Sequence, residues 1–283
     1  MKCCVLTVKV TLVIVTTKLP DNLQLIRWPA AHVLAFTTNR LPAKKPIVSS
    51  THFPLIKNVD GIETFQSQFD YFNLGDHVGD SPNTVIRNRN SLIVHLPALT
   101  KIQWLKQVHG NDVVIVDEHK DSPITADAVI TRNQHIALAI MTADCLPILL
   151  SNENGDEVAA IHAGWRPLAA NIISNTLTKM NTENKHIYAW LGPCISQTHF
   201  EVGSEVKSAF CSISSELSCF FIVNSANKFQ ADLAGLASYF LKKAGVVCIT
   251  HDQACTFAES AKYYSYRREN RTGRMASVIC LKP

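Results

Sequence analysis

The 283-residue sequence has no Cys-x-x-Cys pair, which excludes a zinc ribbon or a thioredoxin-type redox motif. Its nine cysteines, Cys3, Cys4, Cys145, Cys194, Cys211, Cys219, Cys248, Cys255 and Cys280, are odd in number, and most lie inside apolar runs. That fits buried thiols in a reducing compartment better than a disulfide framework. A dominant charge is also missing. Lys and Arg number 27 against 23 Asp and Glu, a net charge of +4, too little to argue for a nucleic-acid partner. The densest basic stretch, YRRENRTGR at 266–274, is interrupted by Glu269 and Gly273 and suits a local anion site better than a duplex-binding stripe. No internal repeat appears, and no linker divides the chain into two domains.

No membrane partner is expected. The apolar N-terminus, MKCCVLTVKVTLVIVTTK, is short for a membrane span, is broken by Lys9, and is followed by no small-residue cleavage site. Residues 1–18 are expected to be an extra strand or a dispensable extension, and residues 19–283 a single domain. With 47% hydrophobic and 18% charged residues, that domain has the composition of a globular protein with a sizeable core.

Short apolar runs rich in Val and Ile, each ending in polar or Gly signals, predict strands at HVLAFTT, VVIVD, DAVIT, IALAIMTA, LPILL, VAAIHA, HIYAWL, VVCITHD and RMASVICLK. Their near-continuous hydrophobicity implies strands covered on both faces. Helices are expected from Pro82, capped by Asp80 or Ser81, and at PLAANIISNTLTKM, SEVKSAFCSI and DLAGLASYFLKKAG, the last stopping at Gly245. Residues 41–70 are Pro-rich and polar and predict a long loop with a short helix. The fold class expected is α+β (mixed α/β), one domain with a mixed β-sheet core flanked by helices.

Three residues stand at turn signals on the edges of apolar runs: His109 in KQVHGNDV, Cys145 in MTADCLPILL and His162 in VAAIHAGWR. Two imidazoles and a thiolate suit Zn²⁺ or copper and leave a coordination position open. Small neighbours, Gly110, Ala143, Ala163 and Gly164, permit close backbone approach. Cys145 equally suits a nucleophile with His109 or His162 as base, a role the same sulfur cannot combine with metal ligation. Asp144 is a candidate ligand-orienting or proton-handling group, and His77 a candidate acid, base or substrate contact. Arg166 stands where a helix begins and suits either a phosphate anchor or a structural ion-pair partner. Arg267 and Arg268 follow Tyr266 in an aromatic segment, a pairing suited to phosphate and a stacked base.

The segments NLGDHVGD, WLKQVHGNDV, TADAVIT, MTADCLPILL, VAAIHAGWRPL, WLGPCISQTHFEVGSEV, CTF and YYSYRRENRTGRMASVI run in order over residues 71–282 and resemble the polyphenol oxidase, laccase-domain family. This family is also described as purine nucleoside phosphorylase and includes the peptidoglycan-editing factor. The resemblance implies a cysteine-hydrolase-like laccase-domain fold and a His-Cys-His metal triad on His109, Cys145 and His162. It implies phosphorolysis of adenosine, inosine and S-methyl-5′-thioadenosine, adenosine deamination, zinc or copper as the only cofactor, and a cytoplasmic monomer or weak homodimer. Asn73 and Arg40 join the expected substrate and phosphate contacts. Members commonly carry Thr-Arg-x-Gly-Gly-Val-Ser after the first strand, whereas this chain reads TTNRLPAKKP, with a longer loop up to Asp70. Two alternatives remain at this point. One is a copper oxidase of phenols, although laccase chemistry spreads four coppers over many histidines; the other is editing or binding of peptidoglycan precursors.

Overall fold

Successive residues of a strand face opposite ways, so a strand apolar at every position needs a cover on each side. The computed structural model, which describes residues 20–41, 69 and 72–283, supplies two covers. A five-stranded sheet runs in the order Leu23–Ile26, Val33–Thr38, Met275–Leu281, Ile136–Thr142, Lys101–Gln103. A six-stranded sheet runs Cys248–His251, Ile187–Leu191, Leu146–Asn152, Val158–Ala163, Ala128–Thr131, Val113–Ile115. The two pack face to face through Ile136, Leu138, Ile140 and Ile279 of the first and Val129, Leu149, Val158 and Ala160 of the second. The intervening residues point outward. Ala137, Ala139 and Val278 cluster with Leu92 of the helix Pro82–Ile93. On the far side Ile148, Leu150, Ala159 and Ile161 pack against Ile173, Leu177, Leu236 and Leu241 from two further helices. The result is four layers, helix–sheet–sheet–helix, in one mixed α/β domain. Burial of each such Leu or Ile is worth about 1.5–3 kcal/mol against exposure.

The apolar runs are strands as expected, but their pairing is mostly antiparallel. Only Lys101–Gln103 with Ile136–Thr142, Val113–Ile115 with Ala128–Thr131, and Ile187–Leu191 with Cys248–His251 pair in parallel within the two large sheets. A second sheet, rather than helices alone, covers one face of each strand. The helix expected over PLAANIISNTLTKM is two helices, Trp165–Ala169 and Ile172–Leu177, because Asn171 adopts φ +66°, a left-handed conformation that helices do not propagate. The helix Leu233–Lys243 begins as predicted. The Asp232 carboxylate accepts from the Gly235 N–H at 2.8 Å, and Gly245, at φ +95°, ends the segment. Strands Leu23–Ile26, Lys101–Gln103, Leu105–Lys106, Ile124–Thr125, Glu201–Val202, Phe221–Val223 and Phe229–Ala231 were not foreseen. The N-terminal extension and nearly all of the loop up to Asp70 lie outside the described residues. No helix among the described residues is long and apolar enough to cross a membrane.

One connection positions the site. The strand Ile136–Thr142 belongs to the first sheet and Leu146–Asn152 to the second, so Ala143, Asp144 and Cys145 carry the chain across from sheet to sheet. Asp144 makes this turn at φ +94°.

Candidate active site

Three elements converge at the crossing. Cys145 closes the turn. His162 lies next to the end of the strand Val158–Ala163, where it pairs with Pro147 while Ala163 pairs with Leu146. His109 stands in the loop before Val113–Ile115, at φ +58°. Their donor atoms all lie within 4.8 Å of one another, and Cys145 Sγ is 3.9 Å from His109 Nε2. The two imidazoles meet edge to face, centroids 4.7 Å apart. A tetrahedral ion with bonds of about 2.0–2.3 Å brings such donors to roughly 3.5 Å, so small side-chain shifts fit one here.

A buried carboxylate sets this geometry. Asp127 is fully buried at the start of the strand Ala128–Thr131. Its Oδ1 accepts from His162 Nδ1 at 2.8 Å and from the His109 N–H at 3.0 Å. Its Oδ2 accepts from the N–H groups of Gly110 at 2.7 Å and Val108 at 3.2 Å. With Nδ1 committed, His162 has Nε2 left to ligate. Gln107 ties the same loop to the crossing strand through Met141, both bonds 2.8 Å. Gly164 completes the packing: a Cβ there would lie 3.0 Å from Cys145 Sγ and 3.4 Å from His109 Cδ2. Asp127 escaped the sequence reading, although a lone carboxylate opening the buried run Ala128–Thr131 was the available signal, since such a charge needs partners.

The electrostatics follow from the contacts. Burial opposes ionisation of the Cys145 thiol, but the imidazoles of His162 and His109 outweigh it and hold the thiol well below its usual value. Burial also opposes charge on His162, and the Cys145 sulfur and Asp127 outweigh it and hold the imidazole above its usual range. At Asp127 burial is overcome by the His162 bond and the loop N–H groups, which keep the carboxylate below its ordinary value. In the absence of metal the pair tends towards thiolate and imidazolium, which favours a cation able to displace the imidazolium proton.

The three donors open onto a cavity of about 530 Å³. Met141, Trp165, Ile195, Phe200 and Leu233 form its apolar part, and His77, Tyr266, Arg166, Arg267 and Arg274 its polar part. His77 stands at the exposed lip, Nδ1 3.3 Å from Asp76. Arg166 stacks on Trp165 at 4.4 Å. Arg267 donates to the Glu201 carbonyl at 2.9 Å and lies over Phe200 at 5.5 Å. Asp144 also lines the cavity, with both oxygens engaged: Oδ1 by Thr256 at 2.7 Å, Oδ2 by Ser265 at 3.0 Å and by the Arg267 N–H at 2.7 Å. It binds the C-terminal segment to the turn.

The other expected contacts lie elsewhere. Arg268 is absorbed by the carbonyls of Thr256, Phe257 and Tyr263 at 2.7–2.8 Å. Arg40 donates to the Ser260 carbonyl at 3.0 Å and lies over Tyr264. Asn73 is fully buried, its Oδ1 accepting from the N–H groups of Gly75 and Arg274 at 2.9 Å and its Nδ2 donating to Asp80 and the Gly75 carbonyl. None of the three lines the cavity. Arg274, by contrast, lines it and was not singled out from the sequence beyond its place in the basic cluster.

Comparison with known proteins fits this arrangement. A family model described as multi-copper polyphenol oxidoreductase laccase matches residues 60–282. "Purine nucleoside phosphorylase YfiH" of Shigella flexneri is 42% identical over 213 residues, covering 75% of this chain and 87% of that protein. "Purine nucleoside phosphorylase PA4543" of Pseudomonas aeruginosa is 42% identical over 219 residues, covering 77% and 88%. The crystal structure of Neisseria meningitidis protein NMB0706 superposes with a TM-score of 0.79 at 37% identity, covering 93% of this chain and all of that one. From its motifs, its fold and these likenesses, the chain belongs to the multi-copper polyphenol oxidoreductase laccase family.

Proposed function

We propose that this chain is a zinc-dependent purine nucleoside phosphorylase, cleaving adenosine, inosine and S-methyl-5′-thioadenosine with phosphate, and that the same site deaminates adenosine. The observation that carries the reading is a group of two imidazoles and a thiolate opening onto a cavity lined by three arginines and an apolar wall. The names of its relatives point the same way. His109, Cys145 and His162 would hold the ion, which when bound supplies Lewis acidity.

The chain's own residues divide the remaining work. Trp165, Ile195, Phe200 and Leu233 exclude water and take the apolar surface of base and ribose. Arg166 and Arg267 bring a fixed positive charge to the anion. Asp144 holds the Arg267 backbone and so orients that wall. His77, exposed at the lip, is placed to exchange a proton between the departing base and solvent. Cys145 acts as a ligand, and a reduced thiol there suits a cytoplasmic protein.

A single three-donor group among the described residues suits a mononuclear centre and weighs against the four-copper chemistry of a laccase; copper-dependent phenol oxidation is still the reading to test against this one. Metal analysis of the purified protein, followed by adenosine turnover with and without phosphate, separates them. Inosine formed without phosphate means deamination, and adenine formed only with phosphate means phosphorolysis. Copper content with phenol-dependent oxygen uptake and no nucleoside turnover sinks the proposal. Cys145→Ala should lose both metal and turnover; a metal-free variant that still turns over refutes the metal dependence.

A further inference from the structure

The cavity has an unbalanced charge. Arg166, Arg267 and Arg274 line it, and none forms an ion pair with a carboxylate among the described residues. The one lining carboxylate, Asp144, has both oxygens committed to Thr256, Ser265 and the Arg267 N–H. An arginine withdrawn from water without a carboxylate partner marks a place where an anion is expected.

The three arginines are not equivalent. Arg166 and Arg267 are exposed, whereas Arg274 is half-buried. Arg274 is also held at both ends. Its N–H donates to Asn73 Oδ1 at 2.9 Å, and its carbonyl accepts from the Leu74 N–H at 3.1 Å. Its stem packs on Gly75, where a Cβ would lie 2.8 Å from Arg274 Cγ. At the head, Nη1 donates to the carbonyls of Thr272 and Gly273, both at 2.9 Å. Nε and Nη2 have no hydrogen-bond acceptor among the described residues, and neither is a buried atom left unsatisfied. These two nitrogens form one edge of the guanidinium fork, and that edge matches two oxygens of a tetrahedral oxyanion.

We propose that Arg274 anchors an oxyanion, inorganic phosphate, in the cavity beside His109, Cys145 and His162, with Arg166 and Arg267 as weaker outer contacts. The identity of the anion rests on the phosphorolytic reading; the site itself rests on the uncompensated, clamped guanidinium. Asn73 and Gly75 are then positioning residues, which explains a fully buried, fully bonded Asn73 in the loop before the first helix.

The test is phosphate binding to the zinc-loaded full chain, followed by calorimetry, for the wild type, Arg274→Gln, Arg274→Lys and Arg166→Gln. Arg274→Gln should weaken phosphate about 10- to 100-fold, the loss of a two-pronged charged contact. Arg274→Lys keeps the charge but loses the fork and should weaken it several-fold, and Arg166→Gln should have the smallest effect. Zinc stoichiometry and near-ultraviolet circular dichroism report folding; if Arg274→Gln does not fold, the decision passes to Arg274→Lys. A folded, zinc-loaded Arg274→Gln or Arg274→Lys variant with wild-type phosphate affinity overturns the proposal, as does wild-type protein that binds no phosphate. Phosphate held by Arg274 without nucleoside cleavage would sink phosphorolysis and leave this inference standing. Cleavage with an unchanged phosphate KM in Arg274→Gln would do the reverse.

Discussion

The His109–Cys145–His162 end of the cavity, to which the proposed function assigns a metal, and the arginine wall are built on opposite plans. At that end three candidate ligands come from three separate elements, and one buried carboxylate, Asp127, holds both histidine-bearing segments in register. The wall comes mainly from the segment between Cys255 and Arg274, which lacks a regular helix or strand, and backbone carbonyls order it by capturing guanidinium groups. Identical side chains therefore do different work. Arg268 spends its head on three carbonyls, whereas Arg274 spends one nitrogen on two and leaves Nε and Nη2 without an acceptor among the described residues. A site organised by one carboxylate should fail as a unit, and a wall organised by many carbonyls should fail piecemeal.

The largest effect that would break this contrast is at Asp127. Asp127→Ala leaves a buried imidazolium and three loop N–H groups without their acceptor. It should cost about 3–5 kcal/mol in urea unfolding and weaken zinc about 10- to 100-fold in a chelator competition. Near-wild-type zinc affinity would mean the histidines hold their places without it.

Arg268→Ala comes next. It should cost about 2–3 kcal/mol of stability, because three carbonyls lose a charged donor, while zinc affinity stays at the wild-type value. A change in zinc affinity as large as that of Asp127→Ala would show that the two ends are mechanically one.

The smallest effect on stability is a pH dependence confined to the His109–Cys145–His162 end. His162 is held above its ordinary value, so its stabilising contribution in the metal-free protein is complete below pH 6.5 and is lost as pH rises through the elevated folded value. Zinc must displace that proton, so its apparent affinity should rise about tenfold per pH unit across the same window, with about one proton released per zinc bound. Zinc binding that is flat with pH above 6.5 would mean His162 is already neutral.

Much of the fold was legible because burial writes itself into composition. Runs such as LPILL and VAAIHA are apolar at every position and end in turn signals, and both are strands. Their direction was not legible, since a strand buried on both faces has the same composition whether helices or a second sheet cover it. The break at Asn171 was hidden because Asn is tolerated both within helices and in the left-handed conformation it adopts. His109, Cys145 and His162 were visible as reactive side chains at turn edges, and their convergence is what the structure adds.

The sequence by itself determined which residues are apolar, which side chains can ligate a metal, and, through its ordered motifs, the family to which the chain belongs. It also set 266–274 apart as the densest basic stretch. Only the tertiary structure decided which arginines serve the cavity. A guanidinium is charged wherever it stands, so its role depends on how many of its donors the fold has already claimed. Arg268 and Arg40 were claimed by carbonyls of the C-terminal segment, Asn73 by the Arg274 backbone, and Arg274 was left with an open edge. Those claims are made by groups up to 220 residues distant in the chain, a separation that no local pattern encodes.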